Sequence, residues 1–213
     1  MIDTTEHQRR RYSAVAIWLH WLMAAAIVAM IAMGLWMTSA IEDPERQAAA
    51  YSTFQWHKSL GLTVLVLALV RLAWRLTHPM PALPAHMPGW QQIAARISHV
   101  LLYVFMLAMP LTGWLYVSTG WNSQTGMAFD VPTVWFGLFQ WPHLPGLSGS
   151  EGIANLAVEA HKLLAWGFIA LLAVHVLGAL KHHFADRDDV LWSMAPIMPR
   201  PEPGSAVIAR DSE

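Results

Sequence analysis

The chain has no cysteine among its 213 residues, and only 13% of its residues are charged. The absence of cysteine excludes disulfides, thiolate metal sites, iron–sulfur clusters and the covalent attachment that c-type haem needs. A metal bound here must therefore use nitrogen or oxygen ligands. Lys and Arg number 13, and Asp and Glu number 14. So balanced a charge gives no indication of a nucleic-acid partner.

Apolar residues take the place of the missing charge. They make up 55% of the sequence, the mean hydropathy is +0.38, and 12 residues are tryptophan. The charged share is about half of the roughly 25% that soluble domains contain, and a soluble protein of this size would struggle to bury so much apolar surface. Tryptophan is enriched where helices cross the membrane interfaces. The composition therefore predicts an integral membrane protein.

Four apolar segments are long enough to cross the bilayer, which takes about 20 helical residues. The sequence therefore predicts an all-α fold, a membrane-embedded four-helix bundle. Three arginines precede the first segment, as in a signal peptide, but its apolar core is too long for one, so we expect a retained helix. The segments are Ala14 to Thr38, Phe54 to Leu76, Ala94 to Val117, and Val158 to Leu180.

Positive charge is unevenly shared between the two sides of the predicted bundle. Ten of the 13 Lys and Arg residues fall on the side that holds the termini. Lys and Arg near helix ends resist translocation, so this side is predicted to be cytoplasmic, with both termini inside. The ten are Arg9, Arg10, Arg11, Arg71, Arg75, Arg96, Lys181, Arg187, Arg200 and Arg210.

The predicted domain organisation is a cytoplasmic segment over residues 1–13, one membrane domain over 14–196, and a flexible cytoplasmic tail over 197–213. The sequence contains no P-loop, Gly-rich nucleotide fingerprint or internal repeat. The link from Thr119 to Ala157 is apolar and aromatic, but prolines interrupt it, so it is too short to span. We expect it to lie along the outer interface and partly cover the bundle, although a loop without a role fits equally well.

Five histidines lie within the predicted helices: His20, His57, His99, His161 and His175. An ionisable side chain in lipid is costly and usually marks a functional site. A neutral histidine hydrogen-bonded to a neighbouring helix explains any single one equally well. Fourteen residues separate His161 from His175, a rotation of about 1400° and a rise of about 21 Å, so both lie on one face of the fourth helix.

The depths of the other histidines match these two. His57 lies near the depth of His161 on the outer side, and His20 lies near that of His175 on the inner side. Two neutral imidazoles that face each other can be the axial ligands of a b-type haem between two helices. The pattern therefore predicts two non-covalent haem b groups that transfer electrons across the membrane. His99 lies at the inner depth too, so depth alone leaves it as an alternative ligand.

Haem propionates need cations or hydrogen-bond donors at the membrane surface. Lys58 and Lys162 directly follow the two outer histidines, and Arg71 and Arg75 end the second helix on the inner side. The alternative explanation for these four cations is that they snorkel towards the membrane surface and set the topology. His182 lies at the inner interface, where a quinone headgroup or a propionate would be met.

At these residues the chain resembles the bacterial cytochrome b561 family, four-helix dihaem membrane cytochromes that are grouped with the cytochrome b subunits of nickel hydrogenases. The resemblance covers about Tyr12 to Pro196 and is most specific in the last helix. It is carried by "RYSAVAIWLHWLMA", "WHKSLGLTVLVLALVRLAWRLTHPMP", "SHVLLYVFMLAMPLTGW" and "EAHKLLAWGFIALLAVHVLGALKHHFADRDDVLWSMAP". In this family the third helix, which contains His99 here, supplies no iron ligand.

The resemblance implies that His20 and His175 are the ligands of the inner haem, and that His57 and His161 are those of the outer haem. It implies electron transfer between a donor and the quinone pool of a bacterial inner membrane, and one member is a superoxide:ubiquinone oxidoreductase. Superoxide would then reduce the outer haem near the two lysines, whose charge favours an anion. Ubiquinone would be reduced near the inner haem, with His182 as a contact. The long aromatic outer link departs from the family pattern and leaves the donor open.

Two other functions are consistent with these residues. The chain could be a membrane-anchor cytochrome b subunit that receives electrons from a periplasmic dehydrogenase or hydrogenase, and a stoichiometric large partner would distinguish it. It could also be a haem-free transporter for divalent metal ions that uses the same histidines. The transporter predicts a colourless preparation and carboxylates within the helices, and the sequence has none well inside them.

Overall fold

A computed structural model describes residues 11–81, 83, 87–122, 125–129 and 131–195. Four of its helices are long and apolar enough to cross a membrane, which confirms the predicted four-helix bundle. They are α1 Ala14–Ala40, α2 Gln47–Thr77, α3 Gly89–Thr119 and α4 Glu151–Lys181. A π-helix, His182–Asp186, extends α4, and a short α5, Val190–Met194, follows it. The predicted tail and most of the predicted N-terminal segment lie outside the described residues.

Three helices begin earlier than their apolar segments predicted. For example, α2 begins at Gln47 rather than Phe54, and α4 at Glu151 rather than Val158. Hydropathy measures only the part of a helix that suits lipid, whereas alanine and other helix-favouring residues continue the backbone hydrogen bonding into the polar region. The bundle therefore projects beyond its apolar belt at the end opposite the termini.

Consecutive helices pack side by side, α1 on α2, α2 on α3, and α3 on α4. A ring contact between His20 of α1 and His175 of α4 connects the first and last helices. The two ends of the described chain meet, because the Tyr12 N–H donates to the Ser193 carbonyl at 3.2 Å. We call this the terminal end of the bundle, and we call the opposite end, where the strands lie, the hairpin end.

An apolar layer divides the bundle halfway along its length. The buried ring of Phe168 on α4 stacks on Phe105 of α3, with centroids 5.5 Å apart and planes 6° apart. Gly167 permits this approach, because a Cβ there would lie 3.1 Å from the Phe105 ring. Phe168 is seven residues from both His161 and His175, which places each about 10 Å from it along the axis. The layer also contains the buried Met23, Ile27, Val64, Ala68 and Met106.

Two antiparallel hairpins occupy the link between α3 and α4, and the sequence analysis did not predict them. They pair β1 Trp121–Asn122 with β2 Met127–Ala128, and β3 Thr133–Trp135 with β4 Phe139–Trp141. The first hairpin begins where Gly120 ends α3 with a φ of +62°. A Cβ at this position would lie 2.5 Å from the Phe129 carbonyl oxygen, so only glycine fits.

The second hairpin packs against the surface of α2. The hydroxyl oxygen of Ser59, which is 1% exposed, accepts a hydrogen bond from the Phe136 N–H at 3.1 Å. The Trp135 indole N–H donates to Thr63 Oγ1 at 3.1 Å. The link therefore covers part of the bundle, as expected, and does so as a folded hairpin held by side-chain hydrogen bonds rather than as a plain loop.

Candidate functional site

Two imidazoles from non-consecutive helices meet at the hairpin end. The ring centroids of His57 on α2 and His161 on α4 are 6.3 Å apart, and the ring planes make an angle of 68°. Both side chains are half-buried, and His57 Nδ1 has no hydrogen-bond partner among the described residues. A glycine lies beside each ring. A Cβ at Gly34 would be 3.5 Å from His57 Cε1, and one at Gly113 would be 3.3 Å from His161 Cε1.

A second pair of imidazoles meets at the terminal end. The ring centroids of His20 on α1 and His175 on α4 are also 6.3 Å apart, with an angle of 63° between the planes. A third imidazole, that of His99 on α3, lies 5.5 Å from the His175 ring. The structure therefore brings together both pairs that the depths predicted, and it adds His99 as a close neighbour of the second pair.

The separation of 6.3 Å agrees with two imidazoles that ligate one metal ion from opposite sides. A metal–imidazole nitrogen bond is about 2.0–2.1 Å long, and the centre of an imidazole ring lies about 1.1–1.2 Å from each ring atom. Two such ligands across one metal ion therefore place their centroids about 6.2–6.6 Å apart. Both predicted pairs have this separation, whereas His99 and His175 are too close at 5.5 Å. The side chains present thus fit two bis-histidine sites.

Arg71 of α2 lies against the terminal-end pair. Its Nη1 donates to the Ala16 carbonyl at 2.9 Å, and its Nη2 lies 3.3 Å from His20 Nδ1. A guanidinium only donates hydrogen bonds, so in this geometry His20 accepts at Nδ1. If His20 ligates a metal through Nε2, the neutral ring carries its proton on Nδ1, and the contact with Arg71 Nη2 must open because both atoms then donate. The freed guanidinium nitrogen can then donate to another anion or acceptor.

Other polar groups gather near Arg71 at the terminal end. The guanidinium carbon of Arg75 lies 5.5 Å from the centre of the Tyr103 ring, a cation–π contact. Burial raises the pKa of Tyr12, which precedes α1, while the positive charges of Arg75 and Arg71 act in the opposite direction. The two arginines that the sequence singled out therefore lie in one cluster at this end.

The two lysines at the hairpin end make contacts of their own. Lys58 Nζ donates to the Pro132 carbonyl at 3.2 Å, which helps to hold the second hairpin. Lys162 Nζ forms an ion pair with Glu159 Oε1 at 2.8 Å, and the two side chains are 61% and 69% exposed. Solvent and Glu159 screen the charge of Lys162, so its field at the histidine pair is weaker than the sequence alone implies. Lys58 is half-buried, and its partner is a neutral carbonyl.

His182 lies in a network of charged groups at the end of α4. Its Nδ1 lies 2.7 Å from Asp188 Oδ2 and 3.0 Å from Asp186 Oδ2, and Lys181 Nζ lies 2.6 Å from the same Asp186 oxygen. The Asp188 side chain is only 3% exposed. His182, Asp186 and Asp188 are close enough together to hold a metal ion, but Lys181 already supplies a cation to the group. Sequence reasoning missed Asp188, whose signal is its position six residues after His182.

Sequence reasoning also missed Thr112 of α3. Its Oγ1 lies 3.1 Å from His161 Nδ1. The only signal in the sequence is a polar residue beside Gly113 in an apolar helix, and this signal does not show which histidine the hydroxyl faces.

These features define a class of protein, a membrane-embedded helical bundle with a facing pair of histidines towards each end. Comparison with known families then identifies it more closely. The sequence profile of prokaryotic cytochrome b561 matches residues 11–196, so the chain belongs to that family.

Individual relatives cover most of the chain. Cytochrome b561 homolog 2 of Escherichia coli K12 is 34% identical over 186 residues, which are 86% of this chain and 90% of that protein. Cytochrome b561 homolog 1 of the same strain is 27% identical, with 87% and 97% covered. A Yersinia pestis protein with the name "Probable superoxide oxidase CybB" is 27% identical, with 88% and 97% covered.

Membership of the family has three consequences for this chain. Its cofactor is haem b, its activity is electron transfer in the membrane, and it is a multi-pass protein of the bacterial inner membrane. Its redox partners are reached in or at the lipid bilayer, since the four helices that carry the histidines are those that can cross it. Haem b is held without covalent attachment, in agreement with the absence of cysteine.

Proposed function

We propose that the chain binds two haem b groups and passes electrons between a donor at the hairpin end and a quinone at the terminal end. His57 and His161 would hold the haem iron at the hairpin end, and His20 and His175 would hold it at the terminal end. The observation that carries this proposal is the ring separation of 6.3 Å, which fits bis-imidazole ligation and occurs in both pairs. A haem held by two such nitrogen ligands would supply electron transfer rather than oxygen chemistry.

The protein's own residues hold and separate the two sites. When bound, each haem supplies a reversible one-electron carrier. The stacked rings of Phe105 and Phe168 belong to an apolar layer between the two sites, and charge is weakly screened across apolar material. Arg71 and Arg75 provide cations for the propionates at the terminal end, and Lys58 and Lys162 lie where they can do so at the hairpin end.

The quinone site is proposed at the terminal end, with ubiquinone as the quinone and His182 as a contact. Because the Asp188 carboxylate accepts from His182 Nδ1–H, Nε2 of the neutral ring is an acceptor, which suits a hydroxyl of the quinol product rather than a quinone carbonyl. Reduction of a quinone to a quinol takes two electrons and two protons. Asp186, which is partly exposed beside His182, can receive protons from solvent on the predicted cytoplasmic side.

Superoxide is the proposed donor at the hairpin end, which is predicted to be periplasmic. Each superoxide gives up one electron and becomes dioxygen, so two are needed to reduce one quinone. Support comes from the name of the Yersinia pestis relative and from Lys58 and Lys162, which are cations next to the histidines of the outer pair. Both lysines have other partners in the structure, so a periplasmic protein subunit is the alternative donor.

The test begins with a pyridine haemochrome count on the purified protein, for which we expect two haem b per chain. Superoxide added to vesicles that contain the protein and ubiquinone should reduce the haems and then form quinol. A colourless protein, or one haem per chain, would contradict the dihaem proposal. If quinol reduces two haems but superoxide does not, superoxide is excluded as the donor and the dihaem proposal stands. If the protein copurifies with a stoichiometric large periplasmic partner, it is an anchor subunit.

A further inference from the structure

We propose that Thr112, on the helix that supplies no axial ligand, is a positioning residue that fixes His161 in the tautomer that binds iron. The inference rests on the proposed function, because it requires His161 to be an axial ligand. It goes beyond that function because it assigns α3 the role of positioning a ligand at the hairpin-end site.

Hydrogen bonding determines which proton His161 carries. Thr112 Oγ1 lies 3.0 Å from the Ala108 carbonyl, 2.9 Å from the Met109 carbonyl and 3.1 Å from His161 Nδ1. A hydroxyl has one proton, and the two carbonyls of its own helix can only accept, so a proton given to one of them leaves the Thr112 oxygen as an acceptor for the imidazole. The oxygen then accepts from His161 Nδ1–H. The neutral ring therefore carries its proton on Nδ1 and keeps a lone pair on Nε2 for a metal.

The backbone of α3 is shaped to receive this ring. Pro110 lies two residues before Thr112 inside the helix, where it has no N–H to complete the helical hydrogen bonding. Gly113 follows Thr112, and a Cβ there would lie 3.3 Å from Cε1 and 3.6 Å from Nδ1 of His161. The imidazole thus lies against the helix backbone, with the Thr112 hydroxyl at its Nδ1.

Such a contact changes the properties of a bound metal. An acceptor on the second nitrogen of a ligating histidine fixes the ring orientation and raises the basicity of the ligand. A more basic ligand stabilises ferric iron relative to ferrous iron, so the contact lowers the reduction potential of the hairpin-end haem. Loss of such partners commonly weakens metal binding by about 10–100-fold.

The experiment compares three threonine variants in the full-length, haem-loaded protein. Thr112→Val removes the hydroxyl and keeps the branched shape, and Thr112→Ser keeps the hydroxyl and loses the methyl group. Thr38→Val is the matched control, because within the described part of the chain the Thr38 hydroxyl on α1 bonds only its own helix carbonyls, at 3.0 Å and 3.1 Å. The readouts are the rate at which each haem is lost to a haem-scavenging protein and the midpoint potential of each haem.

In Thr112→Val we expect one of the two haems to be lost about 10-fold faster and its potential to rise, while the other haem is unchanged. Thr112→Ser and Thr38→Val should behave like the unmodified protein. Unchanged haem retention and potential in Thr112→Val would overturn the proposal. So would equal defects in Thr112→Ser and Thr112→Val, because the hydroxyl would then be irrelevant.

Two further variants keep the result unambiguous. If Thr112→Val does not accumulate in the membrane, Thr112→Cys has a similar size and only a weak acceptor, and the same faster loss is expected. His161→Ala separates the two levels of the argument. If that variant retains both haems, the ligand assignment itself is wrong, whereas loss of one haem together with an unaffected Thr112→Val overturns the positioning role alone.

Discussion

The two histidine pairs have the same separation, 6.3 Å, in different surroundings. At the hairpin end, the neutral Thr112 hydroxyl lies at His161 Nδ1, where we propose that it favours the tautomer able to ligate iron. At the terminal end, the Arg71 guanidinium lies at His20 Nδ1 and opposes that tautomer, and His99 is an additional neighbour. The comparison shows that one ring separation can be built into two electrostatic environments, one with a neutral hydroxyl at a ring nitrogen and one with a cation there.

This difference favours one direction of electron transfer. Reduction lowers the positive charge on iron, so a nearby cation stabilises the reduced form and raises the potential. Arg71 is half-buried next to His20, a proposed ligand, and Arg75 lies in the same cluster. At the other end Lys162 is exposed and paired with Glu159, which leaves the half-buried Lys58 as the main cation there. We therefore expect the terminal-end haem to have the higher potential. Electrons would then move from the hairpin end to the terminal end, towards the proposed quinone site.

The largest effect should come from removing the axial ligands. His57→Ala and His161→Ala should each remove one and the same haem, and His20→Ala and His175→Ala the other, because a bis-histidine site loses most of its affinity with either ligand. Haem counting with the midpoint potential of the remaining haem identifies which one is lost. Loss of different haems from His57→Ala and His161→Ala would show that these two residues do not share an iron.

The next effect should come from the cation at the terminal end. Arg71→Gln should lower the potential of that haem by about 60 mV, which is about 1.4 kcal/mol for one electron, because a partly buried unit charge at this range contributes at least this much. Potentiometric titration measures it. Lys162→Gln is the control and should change the other potential much less, since its charge is exposed. An unchanged potential in Arg71→Gln would remove the basis for the predicted direction.

A smaller effect is expected at the hairpin that covers α2. Ser59→Ala removes the acceptor of the Phe136 N–H, and should weaken the seating of the second hairpin by about 1 kcal/mol. Hydrogen exchange should become faster over residues 133–141 and stay unchanged at the terminal end. Unchanged exchange in the hairpin would mean that its aromatic contacts with α2, and not this hydrogen bond, hold it in place.

The smallest effect is expected from His99. His99→Ala should leave both haems bound, because the His99 ring is too close to His175 for an iron to lie between them. Because His99 lies beside His175, we expect at most a modest shift in the reduction potential of the terminal-end haem. Loss of that haem in His99→Ala, with retention in His20→Ala, would mean that α3 rather than α1 supplies the ligand.

Much of the fold was predictable from the sequence, because a spanning helix needs a continuous apolar run in lipid. The regular rise and rotation of a helix likewise predicted that His161 and His175 share one face at two depths. The exact helix starts were less predictable. Residues from Gln47 onward continue α2 outside the apolar belt, and hydropathy does not report them.

The remaining features depend on contacts between distant parts of the chain. The pairing of β3 with β4 is supported by Ser59 and Thr63 of α2, and the short strands alone carry too weak a pattern to predict it. The role of Thr112 depends on how α3 is rotated about its axis. A helix that is apolar on most sides does not reveal that rotation in its sequence.

The most direct test of the central claim is low-temperature electron paramagnetic resonance of the oxidised protein, recorded beside His57→Ala and His20→Ala. Two bis-histidine sites should give two low-spin ferric signals in the unmodified protein. His57→Ala should remove only one of them, and His20→Ala only the other. A high-spin ferric signal in the unmodified protein, or loss of the same signal from both variants, would contradict the account.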